Sequence, residues 1–367
     1  MSIPVQNLYY LLCYAWDQWE SGQLVDVESL DTTEQADLFA KVLIEGTSHL
    51  FRRGLDRNYR SESQELAGIR GQIDFTGSLT KMLFQQGRAR CRVDELTHDV
   101  LHNQILKSTL RRLSGLDGLD GQIRREVGQL LRKFRGVSEV PKLTPRLFSQ
   151  VQLHRNNRFY RFLLDICELI VRNLLVNEHT GETRFRDILR DKTRMSTVFE
   201  RFVFNFYRRE HDGFRASSRR LSWQASAPVD EHLEWLPGMN TDVTLESPDR
   251  VIIIDTKYYQ KTLQTGRWGG ERVHSENLYQ LYAYLRSFDR AEKGDGGRGK
   301  PIIEGMLLYP VVEQEVRLDY EIDGYRVQIC TVDLAQSWRE IEEELMGIVE
   351  ARHTSGGRRK VHQKSVG

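Results

Sequence analysis

Thr241-Asp242-Val243-Thr244-Leu245, the turn Glu246-Ser247-Pro248-Asp249-Arg250 and the run Val251-Ile252-Ile253-Ile254-Asp255-Thr256-Lys257 decide how this chain is read. The first segment alternates polar and apolar residues, the pattern of a strand with one face in water. Ser, Pro and Asp in the next five residues are turn chemistry. The unbroken β-branched run that follows suits a strand inside a sheet, and it delivers Asp255, Thr256 and Lys257 at its end. Side chains alternate faces along a strand, so Asp255 and Lys257 share one face and Thr256 takes the other. Two neighbouring strands are thereby expected to bring Asp242, Asp255 and Lys257 to one surface.

Two carboxylates and a lysine on one surface suit phosphodiester hydrolysis. Magnesium takes oxygen ligands in octahedral geometry, typically one or two carboxylates with waters and a phosphate oxygen. Asp242 and Asp255 are therefore the expected Mg2+ ligands, helped by the Thr256 carbonyl. Lys257 beside the attacking water would hold the nucleophile or help deprotonate it, and would offset charge building on phosphorus. A D-x-K triplet by itself carries no weight, since a chain that is 29% charged should contain about one by chance.

The context carries it. Leu278, Leu281, Tyr282 and Leu285 fall at helical spacing, and Gln280 and Tyr284 stand one turn apart on the same helix. Upstream, Met195, Val198, Phe199, Phe202, Val203 and Phe206 mark another helix with Glu200 near its middle. An Asp, then D-x-K after an apolar strand, then Q-x-x-x-Y on the next helix is the ordered motif set of the PD-(D/E)xK nuclease superfamily, which this segment resembles. The resemblance implies a restriction-endonuclease-like α/β fold, a mixed sheet flanked by helices. It also implies an acidic metal ligand from a helix ahead of the two strands. Glu200 is the candidate for that place, and the alternative is an ordinary solvated helix residue.

The 367 residues have ordinary apolar content and a formal net charge of +1, which fits a soluble globular protein of two domains. A protein that grips DNA unaided usually shows a basic excess, because phosphate neutralisation supplies most non-specific affinity. Near-neutrality means either clustered basic residues or another component that holds the DNA. No apolar run approaches the ~20 residues of a membrane span, and Met1-Ser2-Ile3-Pro4 lacks a basic leader region, so a cytoplasmic location without membrane contact is expected. Cys13, Cys91, Cys167 and Cys330 lie far apart and form no C-x-x-C pair; buried free thiols are expected.

Outward from the centre, Ile3-Pro4-Val5-Gln6-Asn7-Leu8-Tyr9-Tyr10-Leu11-Leu12-Cys13-Tyr14-Ala15-Trp16 reads as a helix apolar on nearly all sides, with Asn7 a candidate cap. This opening resembles the amino terminus of the McrC family, the nuclease subunits of McrBC methylation-dependent restriction systems. The likeness continues through Arg52-Arg53-Gly54-Leu55, Gly68-Ile69-Arg70-Gly71-Gln72-Ile73, Ile105-Leu106-Lys107-Ser108-Thr109-Leu110, Leu143-Thr144-Pro145, Arg158-Phe159-Tyr160, Asp255-Thr256-Lys257-Tyr258-Tyr259 and Asn277-Leu278-Tyr279-Gln280-Leu281, and reaches Cys330-Thr331-Val332. It covers nearly the whole chain. It implies a subunit that cuts DNA only with McrB, a GTP-hydrolysing AAA+ ring that recognises methylated cytosine and translocates double-stranded DNA. GTP would be bound by that partner, whose GTPase this chain would stimulate. Cutting both strands would take two such sites, which implies McrC–McrC dimerisation in the active assembly.

Residues 35–51 read as a second helix, and residues 59–92 as a small β-rich unit made locally basic by Arg60, Arg70, Arg88, Arg90 and Arg92. Those arginines are either solvated strand faces or, as the family implies, part of an α+β amino-terminal domain that docks into the partner ring. His98-Asp99-Val100-Leu101-His102 imitates a helical zinc motif but carries Asp where the chemistry needs Glu, and it runs into an ordinary amphipathic helix. Pro141 and Pro145 mark the expected domain boundary, giving 1–145 for partner binding, 146–352 for the nuclease and 353–367 for a basic tail. Helices are expected over 122–134 and 159–175, irregular strands over 211–240, strands over 302–310 and 325–332, and a final helix over 334–351. Arg267, Trp268 and Arg272 in the Gly-rich stretch 265–272 either suit phosphate or base contact or belong to a flexible loop without a role. Gly294-Asp295-Gly296-Gly297-Arg298-Gly299-Lys300 fits a phosphate-loop spacing, yet Pro301 stands where such a loop needs a hydroxyl residue, so it reads as a surface loop. A non-catalytic adaptor on a nuclease-like scaffold and a stand-alone repair nuclease are the competing readings.

Overall fold

The apolar opening folds as helix α1 (Val5–Ala15), and nine of its eleven residues are buried, so it needs partners on almost every side. The computed structural model describes residues 3–27, 32, 34–154, 157–176, 183–223, 225–258, 263–265, 271–292 and 301–351. Arg267, Trp268, the 294–300 stretch and the 353–367 tail lie outside them.

The chain divides into two units, residues 1–17 with 189–367, and residues 18–188. This differs from the boundary expected near Pro145 for two reasons: residues 157–160 are tied to the earlier part of the chain, the Tyr160 hydroxyl donating to Asn103 Oδ1 at 3.0 Å and accepting from Asp56 N at 2.8 Å, and α1 belongs with the later part. Its rings and amides find their partners late in the sequence: Tyr14 lies against Phe202 and Phe206 at 5.8 and 5.7 Å, and Asn205 Nδ2 donates to Tyr14 O at 2.8 Å. Asn7, expected as a cap, sits inside α1 and donates from Nδ2 to Leu334 O at 2.9 Å and Gln336 O at 2.8 Å.

Within residues 18–188, helix α2 (Gln35–Arg53) precedes a three-stranded antiparallel sheet of β1 (Asn58–Leu66), β2 (Gln72–Ile73) and β3 (Ala89–Thr97). Helices α3 (Leu101–Ser114), α4 (Gly121–Leu131) and α5 (Arg158–Asn173) follow. His98 precedes α3, so the two histidines do not share a helix face; His102 Nε2 instead lies 3.0 Å from Asp56 Oδ2. The core of the small sheet is slight, built on Ala89, Cys91 and Val93. Leu66 and Ile73 pack against it, whereas Ile69, Phe75, Leu79, Met82 and Phe84 in the connections between its strands are 42–73% exposed.

In the other unit α1 is followed by α6 (Lys192–Glu210), β4 (Arg215–Ser217), β5 (Val243–Glu246), β6 (Arg250–Thr256), α7 (Ser275–Glu292), β7 (Ile302–Pro310), β8 (Arg317–Ile322), β9 (Tyr325–Val332) and α8 (Trp338–Glu350). Six strands form one mixed sheet in the order β8-β9-β7-β6-β5-β4. β6, β7 and β9 are parallel, and the edges are antiparallel. Parallel neighbours need a crossover, and α7 provides it between β6 and β7. The strand expected at 241–245 with a wet face is buried on both faces instead, because α6 packs against β5 and β6 and Thr244 is as inaccessible as Val243 and Leu245. Among the described residues, no helix is long and apolar enough to cross a membrane, and all four cysteines are buried and unpaired.

Candidate active site

β6 is a central strand, buried from Val251 to Thr256. Val251 and Ile253 pack with Leu281, Tyr284, Leu285 and Phe288 of α7, and Asp255 continues that face by the two-residue period. The Lys257 N–H donates to Leu308 O at 2.9 Å, one step beyond the β6–β7 ladder, so the backbone stays extended where the lysine leaves it. On the other side Ile254 stands opposite Val243 in the antiparallel ladder. One step beyond that ladder come Asp242 and Asp255, and the Asp242 charge is felt at Asp255.

Asp242 itself is on a bend ahead of β5, not in the strand. That bend is clamped by hydroxyls and backbone. Thr241 N donates to Arg219 O at 3.0 Å, Arg219 N to Thr241 Oγ1 at 2.9 Å and Ser218 Oγ to Thr241 O at 2.7 Å, while the Thr241 and Thr244 hydroxyls share a 2.8 Å bond. The Thr256 N–H and hydroxyl both donate to Asp242 Oδ2, each at 2.8 Å. Thr241, Thr244 and the Thr256 side chain are contributors that sequence reading did not single out. The signal was the Thr-Asp-x-Thr spacing, whose hydroxyls flank the acid.

Asp255 is fully buried, and among the described residues no donor besides the Lys257 ammonium, 2.9 Å from its Oδ2, reaches either carboxylate oxygen. Burial pushes its pKa from 3.8 up to about 6 against the pull of Lys257, and the Asp242 and Glu200 charges add to the rise. Lys257 Nζ donates to Gln280 Oε1 at 3.0 Å, and Gln280 Nε2 donates to the Tyr284 hydroxyl at 2.7 Å. Burial raises the Tyr284 pKa, and the Asp255 and Asp242 charges raise it further, against the hydrogen bond from Gln280. Asn277 Nδ2, donating to the buried Tyr309 hydroxyl at 2.9 Å, ties the start of α7 to β7. Glu200 of α6 is exposed, and its pKa is raised by partial burial and by the Asp242 charge, against the pull of Arg201 and Lys257.

Asp242, Asp255, Thr256, Lys257, Gln280 and Tyr284 are thus joined by contacts or by charge, and Glu200 couples to them electrostatically. Among the described residues no three His, Cys, Asp or Glu side chains are grouped tightly enough to hold an ion by themselves. Two carboxylates still fit magnesium, which takes one or two of them and completes its shell with water and phosphate oxygen. The sealed Asp255 carboxylate, short of donors, is chemically suited to a cation.

The chain matches the family described as McrBC 5-methylcytosine restriction system component over residues 5–310. It is 36% identical over 348 residues, 95% of this chain and 97% of the relative, to the type IV methyl-directed restriction enzyme EcoKMcrBC of Escherichia coli (strain K12). A similar fold, with a TM-score of 0.57 at 18% identity over 95% of this chain and 75% of the other, occurs in a refined half-complex from a tetradecameric assembly of Thermococcus gammatolerans McrB AAA+ hexamers with bound McrC. With its mixed sheet and its nearly full-length match, the chain belongs to the McrBC 5-methylcytosine restriction system family as a McrC-like subunit.

Proposed function

We propose that this chain is the Mg2+-dependent DNA endonuclease subunit of a GTP-driven restriction complex that acts on DNA with modified cytosine. The partner would be a McrB-type AAA+ ring that binds GTP and reads the modification, and this chain would stimulate the ring's GTPase. The Escherichia coli relative, a methyl-directed restriction enzyme, and the Thermococcus neighbour, a McrC bound to McrB AAA+ hexamers, support that assignment of roles. The observation that carries the nuclease reading is the Asp255 carboxylate, sealed from solvent and within the field of the Asp242 charge, with Lys257 the one cation that compensates it among the described residues.

In this reading Asp242 and Asp255 would hold Mg2+ with the Thr256 carbonyl, and Glu200, whose pKa the Asp242 charge raises, would be the further acidic candidate. The ion, when bound, polarises the scissile phosphate and supplies a nucleophilic water at neutral pH. Lys257 places an ammonium where charge develops on the phosphate oxygens. Gln280 accepts from that ammonium and is itself held by donating to Tyr284, so the lysine is aimed before substrate arrives. Residues 18–188 would form the partner-docking unit. The exposed apolar side chains of Ile69, Phe75, Leu79, Met82 and Phe84, with the Phe75 and Phe84 rings 6.3 Å apart, support this, since exposed apolar surface of this kind marks interaction sites.

The test is cleavage of a methylated and an unmethylated plasmid by the chain with its AAA+ partner, GTP and Mg2+, comparing wild type with Asp255→Ala and Asp242→Ala. Both variants should lose at least about a hundredfold in cleavage while still stimulating the partner's GTPase. Cutting that survives Asp255→Ala would hand the result to the adaptor reading, in which this chain only activates or bridges.

A further inference from the structure

The two hydrogen bonds on Asp242 come from one residue and meet on one oxygen. Thr256 gives its N–H and its hydroxyl to Asp242 Oδ2, each at 2.8 Å, and its side chain is almost wholly buried. A backbone donor alone would fix the distance between the strands. The second donor, set at an angle to the first, fixes the rotation of the carboxylate as well. We propose that Thr256 is a positioning residue for the metal site, turning the Asp242 carboxylate so that it meets a divalent ion through its other oxygen, Oδ1. The proposal rests on the metal-dependent reading above.

The chemistry gives this weight. Magnesium and manganese want near-ideal octahedral geometry, and a carboxylate chelating through both oxygens spoils it. An Asp242 whose Oδ2 already accepts two hydrogen bonds is confined to one-oxygen ligation. Outer-shell partners that orient metal-binding groups typically contribute 10–100-fold to affinity or activity. The hydroxyl also explains a Thr at the middle of the D-x-K triplet: Val would fit the strand equally well but could not donate.

The experiment is Mn2+ binding to the full chain without DNA, by calorimetry or by the loss of free Mn2+ signal in electron paramagnetic resonance, alongside the Mn2+ dependence of cleavage by the partner complex. Thr256→Val keeps the branched shape and the N–H and removes only the hydroxyl. It should weaken Mn2+ binding at least about tenfold and raise the half-saturating Mn2+ for cleavage by a like factor. Thr256→Ser restores the donor and should bind within about twofold of wild type. Thr256→Ala, which cannot overpack, should reproduce the loss if the Val variant folds poorly. Wild-type affinity in the Ala or Val variant overturns the proposal, and so does a Ser variant as weak as Val. Asp242→Ala in the same titration separates the two levels: lost Mn2+ binding there with intact binding in Thr256→Val removes only the positioning role, whereas intact binding in Asp242→Ala removes the metal reading itself.

Discussion

Asp255 is a carboxylate that the fold holds against its own stability. Its folded pKa near 6 stands above the ordinary 3.8, so the folded protein binds more protons than the unfolded chain between those values. Stability of the metal-free protein is then expected to be greatest with Asp255 neutral and to fall as pH rises through about 6. The rise from 3.8 to about 6 corresponds to roughly 3 kcal/mol in the ionised state. Asp255→Asn removes that charge. Without divalent ion it should melt at higher temperature than wild type at pH 8, with the gap closing toward pH 4, and it should not cut DNA. Thermal melts of both proteins at pH 4, 6 and 8 decide this, and an Asn variant less stable at pH 8 would mean that Lys257 compensates the charge fully. That Asp255 and Lys257 share a face was legible in the sequence, because a strand's period of two depends on nothing distant. The Thr256–Asp242 bonds were not, because Asp242 sits on a bend whose shape comes from Ser218 and Arg219 far upstream.

At the scale of the element, α7 holds Gln280 and Tyr284 over β6 because β7 has a glycine beneath it. A Cβ on Gly305 would lie 2.9 Å from Leu285 Cδ1 and 3.1 Å from Leu281 Cγ and Cδ2, closer than packed carbons sit. Gly305→Ala must therefore push α7 outward or turn both leucines from their rotamers, at a cost of about 1–3 kcal/mol. A shift of α7 also lengthens the 3.0 Å bond from Lys257 to Gln280, so partner-dependent cleavage should fall while GTPase stimulation is kept. Denaturant unfolding and the two activities, measured together, check both halves; unchanged stability would show that the leucines yield freely. The strands at Ile302–Pro310 and Tyr325–Val332 were legible to the residue, since apolar runs bounded by turn residues fix their own ends. β8, Arg317-Leu318-Asp319-Tyr320-Glu321-Ile322, alternates strictly and carried an edge-strand signal that charged residues masked. The second buried face of β5 was out of reach, because the helix that covers it is chosen by tertiary packing.

Across the whole molecule the order of the chain is not the order of its units. The chain leaves the unit of the six-stranded sheet after Asp17 and rejoins it at Leu189, so residues 18–188 are an insertion tethered at both ends. No composition shift marks such a return, whereas the apolar girdle of α1 did indicate a buried helix without saying in which unit. The helices of the insertion bury a core of their own, but its small three-stranded sheet has only a slight one and gives no packing reason for the apolar side chains exposed around it. Phe75 and Leu79 are 62% and 65% exposed and lie one turn apart on the short Phe75–Thr80 helix, beside Met82 at 63%. Replacing exposed side chains usually changes stability by no more than about 0.5 kcal/mol, whereas truncating an apolar anchor inside an interface costs about 1–4 kcal/mol. The double variant Phe75→Ser with Leu79→Ser is therefore expected to melt like wild type and to retain Mn2+ binding at Asp242 and Asp255. Its affinity for the AAA+ partner should drop at least about tenfold, taking GTPase stimulation and cleavage down together until excess partner restores both. Titrating GTPase rate against partner concentration reads this directly, and an unshifted curve would show that the apolar face of the inserted unit is not where the partner binds.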